Sequence, residues 1–301
     1  MWLRTRSSLE ILPGSSGSSP LESDRKITWE EAVLWLKSQP GQQDLVRACY
    51  YDEPLLEAAS RFAQSEEWKA VCQILKDWMP GRVLDLGAGH GISSFAFGRS
   101  RCQVTAVDPD PSTIVGLQAI GKLARETNLP IERVRTLAEK IPFKEAIFDI
   151  VYGRQVLHHA ADLGELCREV ARVLRPGGIF FATREHVISK REDLSSFLKS
   201  HPLHWLYGGE NAFLLREYCE AIRGAGLRLK KIYSPYETVI NFFPMTCSEH
   251  QALLKAHLGR YVGKVLSRRL CRKDRVRAFA GRCYSMKDRT PGRLYSFLAV
   301  K

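Results

Sequence analysis

The chain has 301 residues, more than one hydrophobic core usually supports, so a large domain with appendages or two unequal domains is expected. A hydrophobic share of 45% with 26% charged residues excludes wholesale disorder and a fibrous protein. The net charge of +12 is uneven: residues 260–301 hold 13 basic and 2 acidic side chains, and the remainder is almost neutral. A basic C-terminal stretch on a neutral body raises the question of acidic partners for that stretch alone.

Eight cysteines occur without a C-x-x-C pair, which leaves no zinc ribbon or thioredoxin-like motif. Free thiols in a cytoplasmic protein are the plain reading. No stretch approaches the roughly 18 apolar residues of a membrane helix. Residues 1–26 are rich in Gly, Ser and Pro and read as a disordered leader without a secretory signal. A helical extension is predicted over 27–80. It opens at Thr28 with Glu31 three residues on, a capping box, and continues through helices near Glu53–Ala63 and Glu67–Trp78.

After Pro80-Gly81 strands and helices alternate. Strands are predicted at Arg82–Leu86, Val104–Val107, Ile131–Thr136, Phe148–Tyr152, Gly178–Thr183 and Arg228–Tyr233, with Leu294–Val300 last. Helices fall at Ile92–Gly98, Ser112–Thr127 and Leu163–Leu174. The alternation implies a parallel sheet with helices on both faces, an α/β fold.

The first strand, Val83-Leu84-Asp85-Leu86, runs into Gly87-Ala88-Gly89-His90-Gly91. Glycines here allow a sharp bend and let a ligand approach the peptide groups. The spacing is G-x-G-x-G with Ile92 where a nicotinamide fingerprint needs glycine, which disfavours an oxidoreductase. Asp85 would repel a pyrophosphate and suit an amino-bearing ligand. Asp108, ending the second strand, is placed for ribose hydroxyls, although a helix N-cap before Pro109 would also explain it.

These residues resemble the class I S-adenosylmethionine-dependent methyltransferases of the small-molecule, type 11-like branch. Four segments carry the resemblance: Val83–Gly91, Val104–Asp108, Ala138–Phe143 with Phe148-Asp149, and Leu157-His158-His159 followed by Val173–Gly178. It implies a Rossmann-like, doubly wound seven-stranded sheet over 81–245, its last strand (294–301) reversed. It also implies S-adenosylmethionine as methyl donor. Asp85, Gly87, Ala88 and Gly89 would hold the methionine part, Asp108 and Pro109 the ribose, and Ala138 and Glu139 the adenine, with Gln155 completing the set. Leu137 stands where many relatives carry an acid for the adenine amino group, which moves that recognition toward backbone and apolar contact.

Ligands of open α/β sheets gather beyond the carboxyl ends of the strands. His90, His158, His159, His186, His201 and His204 are all predicted at that edge. His158 and His159 are the candidate general bases for a hydroxyl acceptor, with shaping of the pocket wall as their alternative role. His186, His204, Tyr207 and Glu210 are candidate pocket residues, while Trp205 is expected to pack the covering segment onto the sheet. No metal is assigned, because His201 and His204 with Glu210 lack a third well-placed ligand.

Between the sixth strand and the last lies a basic, partly helical insertion, 246–293. Leu254, Leu258, Tyr261, Val262, Val265 and Leu266 recur at helical spacing beside Arg260, Lys264, Arg268 and Arg272. Such a helix could dock on the body, lie on an anionic membrane or track phosphates. If it rims the pocket, it favours an anionic acceptor. The leading function is therefore methylation of a small anionic metabolite, preferentially on oxygen. The alternatives are an RNA or other nucleic-acid methyltransferase tethered by the basic stretch, and a non-catalytic binder of S-adenosylmethionine.

Overall fold

The computed structural model describes residues 26–301, so the expected leader, all but Lys26, lies outside the described residues. Thr28 caps α1 (Trp29–Ser38) as its spacing predicts. Its hydroxyl accepts the Glu31 N–H at 3.2 Å, and the Glu31 carboxylate accepts the Thr28 N–H at 2.7 Å. Three further helices, α2 (Gln43–Ala48), α3 (Leu55–Gln64) and α4 (Glu66–Leu75), lead to the sheet.

The central alternation comprises β1 (Arg82–Leu86), α5 (Ile92–Arg99), β2 (Gln103–Asp108), α6 (Leu117–Thr127), β3 (Ile131–Arg135) and β4 (Phe148–Arg154). It continues through α7 (Leu163–Val173) and β5 (Leu174–Ile188). A covering segment holds α8 (Asp193–Ser200), α9 (His204–Tyr207) and the two-residue β6 (Phe213–Leu214). Then come α10 (Leu215–Gly224), β7 (Arg228–Tyr233) and α11 (Val239–Phe242), followed by α12 (Cys247–Val262), α13 (Lys264–Leu270), α14 (Asp274–Ser285) and β8 (Arg293–Val300).

The sheet order is β3-β2-β1-β4-β5-β8-β7, with β8 antiparallel to both neighbours and the other pairings parallel. This is the doubly wound sheet with a reversed strand that the sequence implies, plus one small addition: β6 pairs with the end of β5 as an eighth strand. β5 runs past the expected Thr183 to Ile188. A register shift against β8 between Ala182 and Glu185, with Arg184 at φ 63°, lets the strand bend and continue. That continuation carries Glu185 and His186 into the sheet edge.

One face of the sheet packs Val83, Val104, Ile150, Tyr152 and Phe181 against α3, α4, α5 and α6 through Phe62, Trp68, Phe97 and Ile120. The other packs Leu84, Val151, Phe180 and Phe297 against α7 and α10 through Leu166, Val170, Tyr218 and Ile222. The N-terminal helices therefore share a core with the sheet. They are also tied to it by a buried ion pair, Arg154 Nε to Glu67 Oε1 at 2.8 Å. A third cluster joins α1 and α2 to Val115, Leu203 and Leu206 over the carboxyl edge of the sheet.

Two expectations need correction. The helix after β2 begins at Leu117, not Ser112, because the preceding loop is held in a turn from outside. The Glu30 carboxylate on α1 accepts the N–H groups of Thr113 and Ile114, and Asp110 accepts that of Ser112. The insertion does not form one amphipathic helix. It breaks at Gly263 (φ 78°), so the apolar positions beyond lose register: Leu254 is buried, whereas Val265 is 76% and Leu266 48% exposed. Arg260 then lies on α12, Lys264 and Arg268 on α13 and Arg272 beyond it, not on one stripe. All eight cysteines are free. Among the described residues no helix is long and apolar enough to cross a membrane.

Candidate active site

A cavity of about 600 Å³ opens at the carboxyl edge of the sheet, roofed by α1, α2 and the covering segment. One half is built on the turn after β1. Gly87, Gly89 and Gly91 all take left-handed backbone (φ 59°, 54° and 87°), and a Cβ on Gly87 would meet Val156 Cγ2 at 2.6 Å. Asp108 closes this half: its Oδ2 accepts the Gly89 N–H and its Oδ1 the Asp110 N–H, both at 2.8 Å. Burial pushes the Asp108 carboxyl up to about 6 against those two hydrogen bonds. A carboxylate has lone pairs beyond these two, and Asp108 lies on the cavity wall where hydroxyl donors can reach it.

Gly87, Ala88, Gly89, Asp108, Pro109, Ala138, Glu139 and Gln155 all line the cavity, brought together from four strand ends. Asp85 does not. Its buried carboxylate takes hydrogen bonds from Ser93 Oγ (2.8 Å) and Ser94 Oγ (2.5 Å) behind the turn, and burial raises it to about 6. It braces the start of α5 rather than facing a ligand. Glu139 also spends one oxygen internally, on the Ala161 N–H at 2.9 Å. Leu137, 56% exposed, is part of the wall.

The other half is a histidine and glutamate cluster. His158 is buried, with Nδ1 2.8 Å from Glu185 Oε2 and Nε2 3.6 Å from Glu210 Oε2. The His158 ring lies 4.1 Å from that of His159 and 4.7 Å from that of His186. Burial holds His158 well below the ordinary imidazole range and His186 at about 3. Burial alone would raise Glu210, and the imidazoles of His158, His159, His201 and His186 around it draw its carboxyl the other way. His159 is exposed at the cavity wall, its Nδ1 donating to the Gly209 carbonyl at 2.9 Å.

His186, Tyr207 and Glu210 line the cavity, while His204 is not on the wall. The short helix α9 turns it away, with its Nδ1 buried and without a hydrogen-bond partner among the described residues. Trp205 is corrected too: it is 47% exposed and meets Trp35 of α1 edge-on, so it packs on the N-terminal helices and not on the sheet.

Two contributions were not anticipated. Glu185 fixes His158, and also accepts the backbone N–H groups of Val156 and His158 at 3.1 Å. Burial raises its carboxyl to about 7. The polar triplet Arg184-Glu185-His186 inside an apolar run was its sequence signal. Trp29, Asp44 and Tyr51 of the N-terminal extension form part of the roof, for which periodicity gave no sign. The basic insertion, in contrast, lends the cavity no residue. Its charge therefore does not line the pocket and gives no reason to expect an anionic acceptor there.

The strand order, the glycine turn and the carboxylate at the end of β2 are those of a class I S-adenosylmethionine-dependent methyltransferase fold. Residues 84–182 match the family model described as Methyltransferase domain (Methyltransf_11). A ubiquinone biosynthesis O-methyltransferase of Rhizobium etli (strain CIAT 652) is 30% identical over 132 residues, 44% of this chain and 52% of that protein. One of the same description from Nitrobacter winogradskyi is 34% identical over 129 residues, 42% of this chain and 48% of that protein. The chain thus spans about half the length of these curated relatives. The geranyl diphosphate C-methyltransferase of Streptomyces coelicolor A3(2), solved with S-adenosyl-L-homocysteine, superposes with a TM-score of 0.52 at 16% identity. That match covers 77% of this chain and 75% of that one and shows the fold alone.

Proposed function

We propose that the protein is an S-adenosylmethionine-dependent methyltransferase acting on a hydroxyl of a small-molecule acceptor. The observation that carries this is a single cavity whose two halves are chemically different: a glycine turn with Asp108 on one side, buried imidazoles and carboxylates on the other. The similarity to ubiquinone biosynthesis O-methyltransferases supports oxygen as the methylated atom.

S-adenosylmethionine, when bound, supplies a methyl group activated on a sulfonium. Gly87 and Gly89 expose peptide groups with no side chain in the way, Asp108 accepts from ribose hydroxyls, and Ala138 and Leu137 offer an apolar edge to the base. The histidine half orients the acceptor. Glu185 orients the His158 ring through Nδ1, and near-contact alignment of nucleophile and methyl supplies much of the rate in such a transfer. His159, whose Nδ1–H is committed to Gly209, keeps Nε2 as the acceptor for the proton that the hydroxyl loses. The cavity wall is mostly apolar, and the roof of Trp29, Leu203 and Tyr207 keeps bulk water from competing as nucleophile.

Isothermal titration with S-adenosylhomocysteine tests the reading. Saturable binding at one site, weakened in Asp108→Ala, is expected; absence of binding to the folded protein overturns it.

A further inference from the structure

We propose that His158, His186 and Glu210 bind one divalent transition-metal ion at the acceptor end of the cavity, an inference that rests on the methyl-transfer reading above. One donor atom from each residue lies within 4.8 Å of the other two, and all three side chains are buried. A tetrahedral ion with bonds of about 2.0–2.1 Å spaces its ligands about 3.4 Å apart, so small side-chain rotations close the set. His158 Nε2 and Glu210 Oε2, at 3.6 Å, are nearly there already.

The surrounding hydrogen bonds decide which atoms are available. His186 Nδ1 donates to the Gly292 carbonyl at 2.8 Å, and His158 Nδ1 to Glu185 Oε2 at 2.8 Å. Each ring therefore keeps Nε2 as a bare lone pair. An imidazole backed in this way by a carboxylate or carbonyl is the usual arrangement behind a metal. Glu210 is anchored by the Tyr207 hydroxyl at Oε1, while its Oε2 is buried with no hydrogen-bond partner among the described residues. A buried carboxylate oxygen left unpaired is costly, and neighbouring lone pairs give it no proton. A divalent cation satisfies all three lone pairs together.

Two imidazoles and a carboxylate suit a zinc-like borderline ion and leave a position open. An acceptor hydroxyl bound there would lose its proton more easily, the proton passing to His159. The oxygen then forms its bond to the methyl carbon as the sulfur–carbon bond breaks, leaving a neutral thioether. No oxidant or reductant enters.

The test is titration of chelator-treated protein with Co²⁺, followed by visible absorption, and with Zn²⁺ by calorimetry. S-adenosylhomocysteine binding is measured on the same samples. Expected are one equivalent of metal, cobalt bands without sulfur-to-metal charge transfer, and affinity lowered at least about 100-fold in Glu210→Gln and His186→Gln. Sub-stoichiometric binding overturns the proposal, as does a charge-transfer band pointing to the free cysteines, or variants that bind metal like the parent. If the variants melt early, the cobalt spectrum of the parent decides alone. Loss of S-adenosylhomocysteine binding by the parent would instead fail the methyltransferase reading, with the metal result still legible.

Discussion

The backbone N–H of Gly89 donates to Oδ2 of Asp108 at 2.8 Å, so the glycine turn and the carboxylate of the next strand are held as one unit. Replacing Asp108 by Asn removes the charge but keeps the shape. Hydrogen bonds to a charged group contribute about 1.5–3 kcal/mol, so S-adenosylhomocysteine affinity should fall about 10- to 100-fold by calorimetry. An unchanged affinity would remove Asp108 from the site.

The same carboxyl sets a pH dependence. Burial puts Asp108 at about 6 in the free protein, and on the proposed cofactor role only its ionised form would accept both ribose hydroxyls. Affinity for S-adenosylhomocysteine should be flat above pH 7 and weaken as pH falls through 6, by up to about tenfold per unit. Calorimetry between pH 5 and 8 checks the direction, and Asp108→Asn should flatten the curve.

Asp85 should oppose stability. Burial raises it to about 6, above the value of about 3.9 for an unfolded chain, so the native state holds its proton more tightly. Stability from this group is full below about pH 4 and is lost as pH rises through 6. Asp85→Asn, still able to bond Ser93 and Ser94, should therefore stabilise by about 1–3 kcal/mol at pH 7.5 and much less at pH 4.5. Urea melts at the two pH values measure the difference; equal effects at both would contradict it.

Glu67→Ala should strand Arg154, whose guanidinium is buried and bonds both Glu67 oxygens, at 2.8 and 3.1 Å. Removing one partner of a buried pair costs about 3–5 kcal/mol. The urea midpoint should fall accordingly, and less for the double change Glu67→Leu with Arg154→Met.

Gly87→Ala combines a left-handed backbone with a contact to Val156, and should cost about 1–3 kcal/mol and weaken cofactor binding. Adding Val156→Ala should recover the steric part but not the backbone part, which a double-mutant cycle separates.

Much of this was legible in the sequence because it depends on local pattern. The alternation of strands and helices, the turn at Gly87–Gly91 and Asp108 at a strand end need only the neighbouring residues. What escaped depends on chain far away. Glu185 acts because a bulge opposite β8 carries β5 past Thr183, and a strand pairing is not written in β5 itself. The late start of α6 depends on Glu30, about eighty residues earlier. The apolar spacing from Leu254 to Leu266 promised one helix face, but Gly263 at positive φ resets the register.

The most direct measurement is a crystal structure with S-adenosylhomocysteine bound. The ribose is expected on Asp108, the methionine part along Gly87–Gly89, and the sulfur turned toward His158 and Glu210 with room for an acceptor between. A ligand bound elsewhere, or a sulfur facing away from the histidine cluster, would contradict that arrangement.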